Sequence, residues 1–365
     1  MNSSILSCLT AIFLTVINRP VQSDFRTRAA RPWHSKCFFH LMWNRFYSSF
    51  FSLCILLWIQ FVEARAVSEE KEIFIAVVGG TSFGAPELFG KGLVEENGFI
   101  QVETPVGLGP KLYKMSYQGV PFYYVRMYGY ETEQKGENDG NVHVRTWYSL
   151  YTVGVTHAIG GASSGAIRTD WDYDDLVIID DFMVMENQRP QNILDYTGIE
   201  RPGIFPNFAS PFSPSLRRLL IEEARAAQPG YSGKLWETGV FFQNNPGRFE
   251  TAAEIRAMRI LGGEITSLNV GTCTEYARQL GIRWATICSI ANPAVGVRPF
   301  SFADMQASVQ RIAAQAVPIV LSAIARIPSE AMGPEPISTG ENYRGSYTNP
   351  KASSNKIIDG RDSGR

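Results

Sequence analysis

Two glycine-rich turns and one aromatic–acidic pair are the parts of this chain equipped for chemistry. Residues 77–84 read Val-Val-Gly-Gly-Thr-Ser-Phe-Gly directly after an apolar run. Glycines at a strand's carboxyl end let backbone N–H groups close on an anion, and Thr81 adds a hydroxyl donor. The spacing is neither that of a dinucleotide fingerprint nor that of a Walker loop, so taken alone the segment is equally a tight turn. Residues 159–167, Ile-Gly-Gly-Ala-Ser-Ser-Gly-Ala-Ile, repeat the arrangement after a second apolar run. Two such turns at neighbouring strand ends form a shared pocket at the edge of an α/β sheet, and the pairing matters more than either turn. The third motif runs from Asn244 to Glu254 and contains Phe249-Glu250. A turn and a helix cap account for its Asn, Pro and Thr residues. They do not account for an aromatic face beside a carboxylate.

The elements that must hold these motifs follow from short apolar runs alternating with amphipathic stretches. Residues 73–78, 122–125, 157–159, 176–179, 240–242 and 284–290 are short, β-branched or aromatic, and bounded by Gly, Asp or Asn, which predicts buried strands. Residues 213–227 open on Ser-Pro and put Leu216, Leu219, Leu220 and Ala224 on one helical face. Residues 251–261 set Ile255, Met258 and Leu261 at helical spacing and stop at Gly262-Gly263; residues 304–327 predict a long apolar helix packed across the sheet. Strands alternating with helices predict one α/β domain with a mixed central sheet flanked by helices.

Taken in order, these pieces resemble the trimeric purine nucleoside phosphorylase and methylthioadenosine phosphorylase family over residues 73–327. The resemblance rests on Gly79-Gly80-Thr81, on Gly160-Gly161-Ala162 with Gly165-Ala166-Ile167, and on Asp175-Leu176-Val177-Ile178 and Asp180-Asp181-Phe182. Arg189-Pro190, Pro211-Phe212-Ser213-Pro214 and Arg248-Phe249-Glu250-Thr251-Ala252-Ala253-Glu254 follow in family order. It implies phosphorolysis: phosphate attacks the anomeric carbon while the purine leaves, through an oxocarbenium-like transition state with no covalent enzyme nucleophile. Inorganic phosphate is then a co-substrate, and no cofactor or metal is implied.

Carried over by position, the resemblance assigns phosphate binding to Thr81, Arg126, Ala162 and Asn269. Gly161, Phe249, Glu250, Leu268 and Ala294 would contact the nucleoside, and Phe205 would reach a neighbouring subunit's sugar, which implies a homotrimer. Asn292 would donate to purine N7 as charge develops on the leaving base. Asn292 followed by Ala294 resembles members that prefer 6-oxo purines. Three departures fall near the phosphate: Arg126-Met127 stands for an Arg-His pair, Asn269 for a Ser or Thr, and Gly271-Thr272-Cys273 for Val-Pro-Glu. Each lost bond to a charged group would cost roughly 1.5–3 kcal/mol. A phosphate-independent hydrolase and a non-catalytic nucleoside-binding protein are therefore the alternatives.

Composition sets the outer limits. Of 365 residues, 45% are hydrophobic and 19% charged, with a net charge of −1, which is globular and offers no basic surface for nucleic acid. The charge is uneven: residues 1–66 carry seven Lys or Arg against Asp24 and Glu63, a net +5, which leaves −6 for residues 67–365. Within that front, Arg45 precedes the uncharged residues 46–62, and Ala64-Arg65-Ala66 puts small residues where a signal peptidase reads. This predicts an export signal starting at Met42 and a periplasmic or secreted mature chain from about Val67; an uncleaved membrane anchor is the alternative. Residues 328–365, rich in Ser, Gly, Asn and Pro, predict a disordered tail. Cys273 and Cys288 are the body's only cysteines, too few for a disulfide scaffold. His143, His157 and the acidic run Asp170–Asp175 lack metal-site spacing.

Overall fold

The computed structural model describes residues 73–80, 83, 94–127, 141–185, 189–198, 206–244, 248–330 and 357–360, with backbone only at 94–97 and 358–360. The chain divides into two units, Met1–Lys71 and Glu72–Arg365. The expected export signal and cleavage site lie outside the described residues.

The second unit is built on a mixed sheet. Strands β1 (Ile75–Gly79), β5 (Val120–Arg126), β6 (His157–Ala166) and β12 (Arg283–Pro293) run parallel, in the order β5-β1-β6-β12. Strands β8 (Asp181–Val184), β10 (Val240–Gln243) and β11 (Ile265–Ser267) form a second parallel group, which joins β6 antiparallel through β11. Beyond β5 the sheet continues as an antiparallel meander, β4 (Leu112–Tyr117) and then β2 (Val94–Thr104), with β3 (Gly107–Leu108) paired to β2. The short strand β7 (Leu176–Ile178) pairs antiparallel with β12 and parallel with β9 (Leu235–Trp236).

Helices cover both faces. On one, α1 (Val142–Thr152) and α4 (Val270–Gln279) pack around Trp147 and Trp284, whose rings meet edge to face at 5.2 Å. On the other lie α2 (Pro214–Ala227) and α5 (Phe302–Arg326), burying Leu216, Leu219, Leu220, Ile312, Ala316 and Val320. A third apolar cluster gathers under α3 (Ala252–Ile260). The caps expected from sequence are made: Ser213 Oγ accepts from Leu216 N, and Thr251 and Glu254 close a capping box before α3. Helix α5 has the length and apolarity to cross a bilayer. Its apolar stripe is instead buried against β12 and α2, as a core helix.

The mixed sheet flanked by helices matches the expectation from sequence. Helices α1 and α4 were not legible there, because both are buried nearly all round: residues 143–151 of α1 are all buried, and so are all of α4 except Glu275 and Arg278. The tail expectation is corrected at one place: Ile357–Gly360 form β13, antiparallel to β2. Among the described residues β13 is the outermost strand beside β2, and its sequence opens on two β-branched residues, which favour extended backbone.

Candidate functional site

The site grows from the way β6 is paired. Along one edge it pairs with β12 throughout. Along the other, β1 pairs with it only as far as Gly160, and β11, arriving from the opposite direction, pairs only from Gly165. Among the described residues no strand pairs with 161–164 on that edge. The carboxyl ends of the two parallel groups therefore face each other across a gap, and the gap is lined by β6 main chain.

One face of β6 repeats the pattern in side chains. Successive residues point to opposite faces, so Ile159, Gly161, Ser163, Gly165 and Ile167 share one. Ile159 and Ile167 belong to two different core clusters, whereas the three residues between them are small. This leaves a concavity about 13 Å long on the sheet. Part of it holds the first motif. Phe83 lies over Gly161, where a Cβ would come within 2.0 Å of its ring, and Gly80 passes so close that its own Cβ would sit 2.6 Å from Gly161 O. Phe83 N donates to Gly80 O at 3.0 Å, and Tyr124 OH donates to Phe83 O. The two glycine turns are thus one packed unit.

Cross-strand pairing sets the next row. Phe242 pairs with Thr266, Thr266 with Gly165, and Gly165 with Asn292, so all four share that face. Thr266 Oγ1 donates to Glu250 Oε1 at 2.8 Å, holding the buried carboxylate over the row. Asn292 Nδ2 donates to Pro293 O at 2.8 Å, which fixes the amide while leaving its second N–H available. The same nitrogen lies 3.4 Å from where a Gly165 Cβ would be, so glycine gives it room. Strand β12 carries one extra residue, Ala291, between the pairs made by Ile290 and Asn292, a bulge that sets the local direction of the chain at this point.

The anion side lies at the ends of β1 and β5. Gly79 pairs with Arg126, and Met127 N donates to Gly79 O at 3.1 Å. Asn269 caps the N-terminus of α4 without a side-chain cap bond, and the partial positive charge of that helix end favours an anion. Gln243 secures this terminus by accepting from Thr272 N and donating to Thr272 Oγ1, at 2.8 and 2.9 Å. Met127 Sδ sits 3.6 Å from Cys273 Sγ, so the end of β5 and the first turns of α4 touch. Two of the three departures noted in the sequence meet in this sulfur contact. Burial pushes the Cys273 thiol up to about 12, so it carries no charge there.

The remaining expected residues divide as follows. Ala162 and Gly161 are buried on the gap, and half-buried Leu268 directly follows β11. Phe249 is 44% exposed and packs with Phe300 and Phe302, ring centroids 6.0 and 5.9 Å apart. Ala294 packs with Ile167, Phe242, Ile255 and Met258 at the end of the concavity. Thr81 and Phe205 lie outside the described residues. His143 is buried in α1, and burial lowers its pKa well below the ordinary value; burial likewise brings His157 down to about 4. Phe83 and Ser163 lie inside the quoted motifs without having been singled out, and strand alternation alone would have found Ser163. Ser267, whose Oγ donates to Ser163 O at 2.8 Å, carries no sequence signal.

A family model described as the phosphorylase superfamily matches residues 75–325. The chain belongs to that superfamily. It is similar to the 6-oxopurine nucleoside phosphorylase of Pyrococcus furiosus, with 30% identity over 197 residues that cover 52% of this chain and 72% of the relative. Similarity to a probable S-methyl-5'-thioinosine phosphorylase of Methanopyrus kandleri is 29% identity, covering 51% and 71%. Among solved structures, the methylthioadenosine phosphorylase of Schistosoma mansoni in complex with adenine superposes with a TM-score of 0.60 at 19% identity, over 71% of this chain and 93% of that one. This likeness speaks for the fold. The family read from the ordered motifs is thereby borne out.

Proposed function

We propose that this chain catalyses phosphorolysis of the N-glycosidic bond of purine nucleosides, with 6-oxo purines as the preferred bases. The observation that carries the reading is the convergence at one gap of backbone from β1 and β6, the Arg126 end of β5 and the N-terminus of α4, beside Glu250 and Asn292. An oxocarbenium-like transition state needs an anion held under the sugar and a donor at the leaving base, and these two groups of residues supply the two needs. The relatives named above, one acting on 6-oxopurine nucleosides and one on a thioinosine derivative, support the choice of substrate class.

Phosphate is held in this reading by main-chain N–H groups of the glycine turns together with Thr81, Arg126, Ala162 and Asn269. Met127 and Cys273 supply no charge, so the backbone carries a larger share. The test is to incubate the full chain with inosine, guanosine, adenosine and methylthioadenosine, with and without phosphate, and follow free base. Release that requires phosphate is expected. Release that ignores phosphate would make the protein a hydrolase, and no release from any substrate would leave a binding protein. Asn292→Ala should lower kcat by about 10²–10³-fold with a smaller change in KM, as expected for a donor used mainly in the transition state. The assembly proposed from the resemblance is a homotrimer, checked by its sedimentation mass. Residues 46–62 are proposed to direct export, checked by N-terminal sequencing of the protein recovered outside the cytoplasm.

A further inference from the structure

We infer that Asn244 is a specificity-determining residue whose side-chain N–H donates to the 6-carbonyl oxygen of the bound purine; this rests on the purine-nucleoside reading above.

Asn244 follows the last residue of β10, and its backbone N–H still donates to Ser267 O at 2.8 Å, so it extends the strand pairing by one step. Its neighbour Gln243 turns its amide to Thr272 on the α4 side of the sheet. Alternation then puts the Asn244 side chain on the opposite face, the one shared by Phe242, Thr266, Gly165 and Asn292. It stands one step, about 7 Å, along the strand from Phe242 and roughly 5 Å across from the strand position of Leu268. Asn244 Nδ2 is buried and, among the described residues, has no hydrogen-bond partner. An amide donor buried without a partner costs free energy unless a ligand completes it.

Beside Thr266, which is turned to Glu250, three polar side chains of this face make complementary offers. Glu250 presents carboxylate oxygens and accepts. Asn292 keeps one N–H for an acceptor in the ring. Asn244 adds a second donor. A 6-oxo purine offers two adjacent acceptors, the ring nitrogen N7 and the carbonyl oxygen, together with a donor at N1–H. A 6-amino purine sets an N–H₂ group against the Asn244 N–H₂ and a bare ring nitrogen against the carboxylate. A site built around a polar partner rejects the analogue that leaves it unpaired far more strongly than an apolar site rejects a shape change.

The deciding experiment measures kcat/KM for inosine and adenosine with the full chain, Asn244→Asp and Asn244→Ala. Asn244→Asp keeps the shape and replaces the donor by an acceptor, so the inosine-to-adenosine ratio should fall about 10- to 100-fold and adenosine turnover should not fall with it. Asn244→Ala should lower the ratio less, mainly through inosine KM. An unchanged ratio in both variants, with phosphorolysis intact, overturns the role of Asn244 and leaves the proposed function standing. Should the parent chain cleave no nucleoside, the function falls and calorimetric binding of free hypoxanthine and adenine decides the residue. Weaker hypoxanthine binding to Asn244→Asp than to the parent then supports the role, and equal or absent binding overturns it.

Discussion

At the scale of single residues, the site is shaped as much by side chains that are missing as by those present. Gly161 is the sharpest case, since a methyl there would come within 2.0 Å of the Phe83 ring. Gly161→Ala should destabilise the fold by about 1–3 kcal/mol, as overpacking does, and pairing it with Phe83→Leu should recover most of the loss in thermal melts. Glu275 on α4 offers a second test. Burial raises its carboxyl to about 7 from an ordinary 4.5, so between those values the folded chain keeps a proton that the unfolded chain has lost. Its contribution to stability is therefore complete below pH 4.5 and lost as pH rises through 7. Glu275→Gln should melt higher than the parent at pH 8, by about 2–4 °C for each kcal/mol relieved, and at the same temperature at pH 4.5. Equal curves at both pH values would show the carboxylate to be solvated.

At the scale of elements, what the sequence made legible were the strands and helices that bury one face. Strands β1, β6, β10 and β12 and helices α2, α3 and α5 stand where apolar runs and capping residues put them. Helix α1 escaped because Val142–Thr152 is rich in β-branched and aromatic residues and is packed on all sides, so tertiary burial overrides both propensity and stripe. Helix α4 escaped for a related reason: it opens Val-Gly-Thr and is buried almost to its end. The motifs and the pocket shared by the two glycine turns were legible, but the way the Glu250 side closes on them was not, because it depends on β11 running against β6. No local pattern encodes that direction. Strand β13 shows the same limit at the sheet edge. Deleting residues 357–365 should uncover the outer backbone of β2 and produce concentration-dependent association by light scattering, while nucleoside turnover per folded chain is kept. A deletion variant that stays dispersed at high concentration would mean that β2 is protected by other means.

At the scale of the whole molecule, Cys273 and Cys288 report on global stability. Burial pushes both thiols up to about 12, and both are free. They lie within α4 and within β12, both buried in the core, so a thiol-alkylating reagent should label them at the global unfolding rate. Peptide mapping separates them from Cys8, Cys37 and Cys54. Labelling of Cys273 without Cys288 would reveal partial opening of α4 alone. Divided at Lys71, the first unit carries a net +4 and the second −5, and the acidic sign of the second says nothing about its site.

The unpaired stretch of β6 also bears on how this protein can change over time. A ligand seat made of main-chain groups cannot be erased by exchanging the side chains around it. In the proposed function, main-chain groups at this gap would keep their part of the anion seat whichever side chains stand at Met127 and Cys273. An alanine scan of the same positions would accordingly under-report it. The heritable information for this part of the site is carried by topology, which point mutation reaches only by unfolding the sheet.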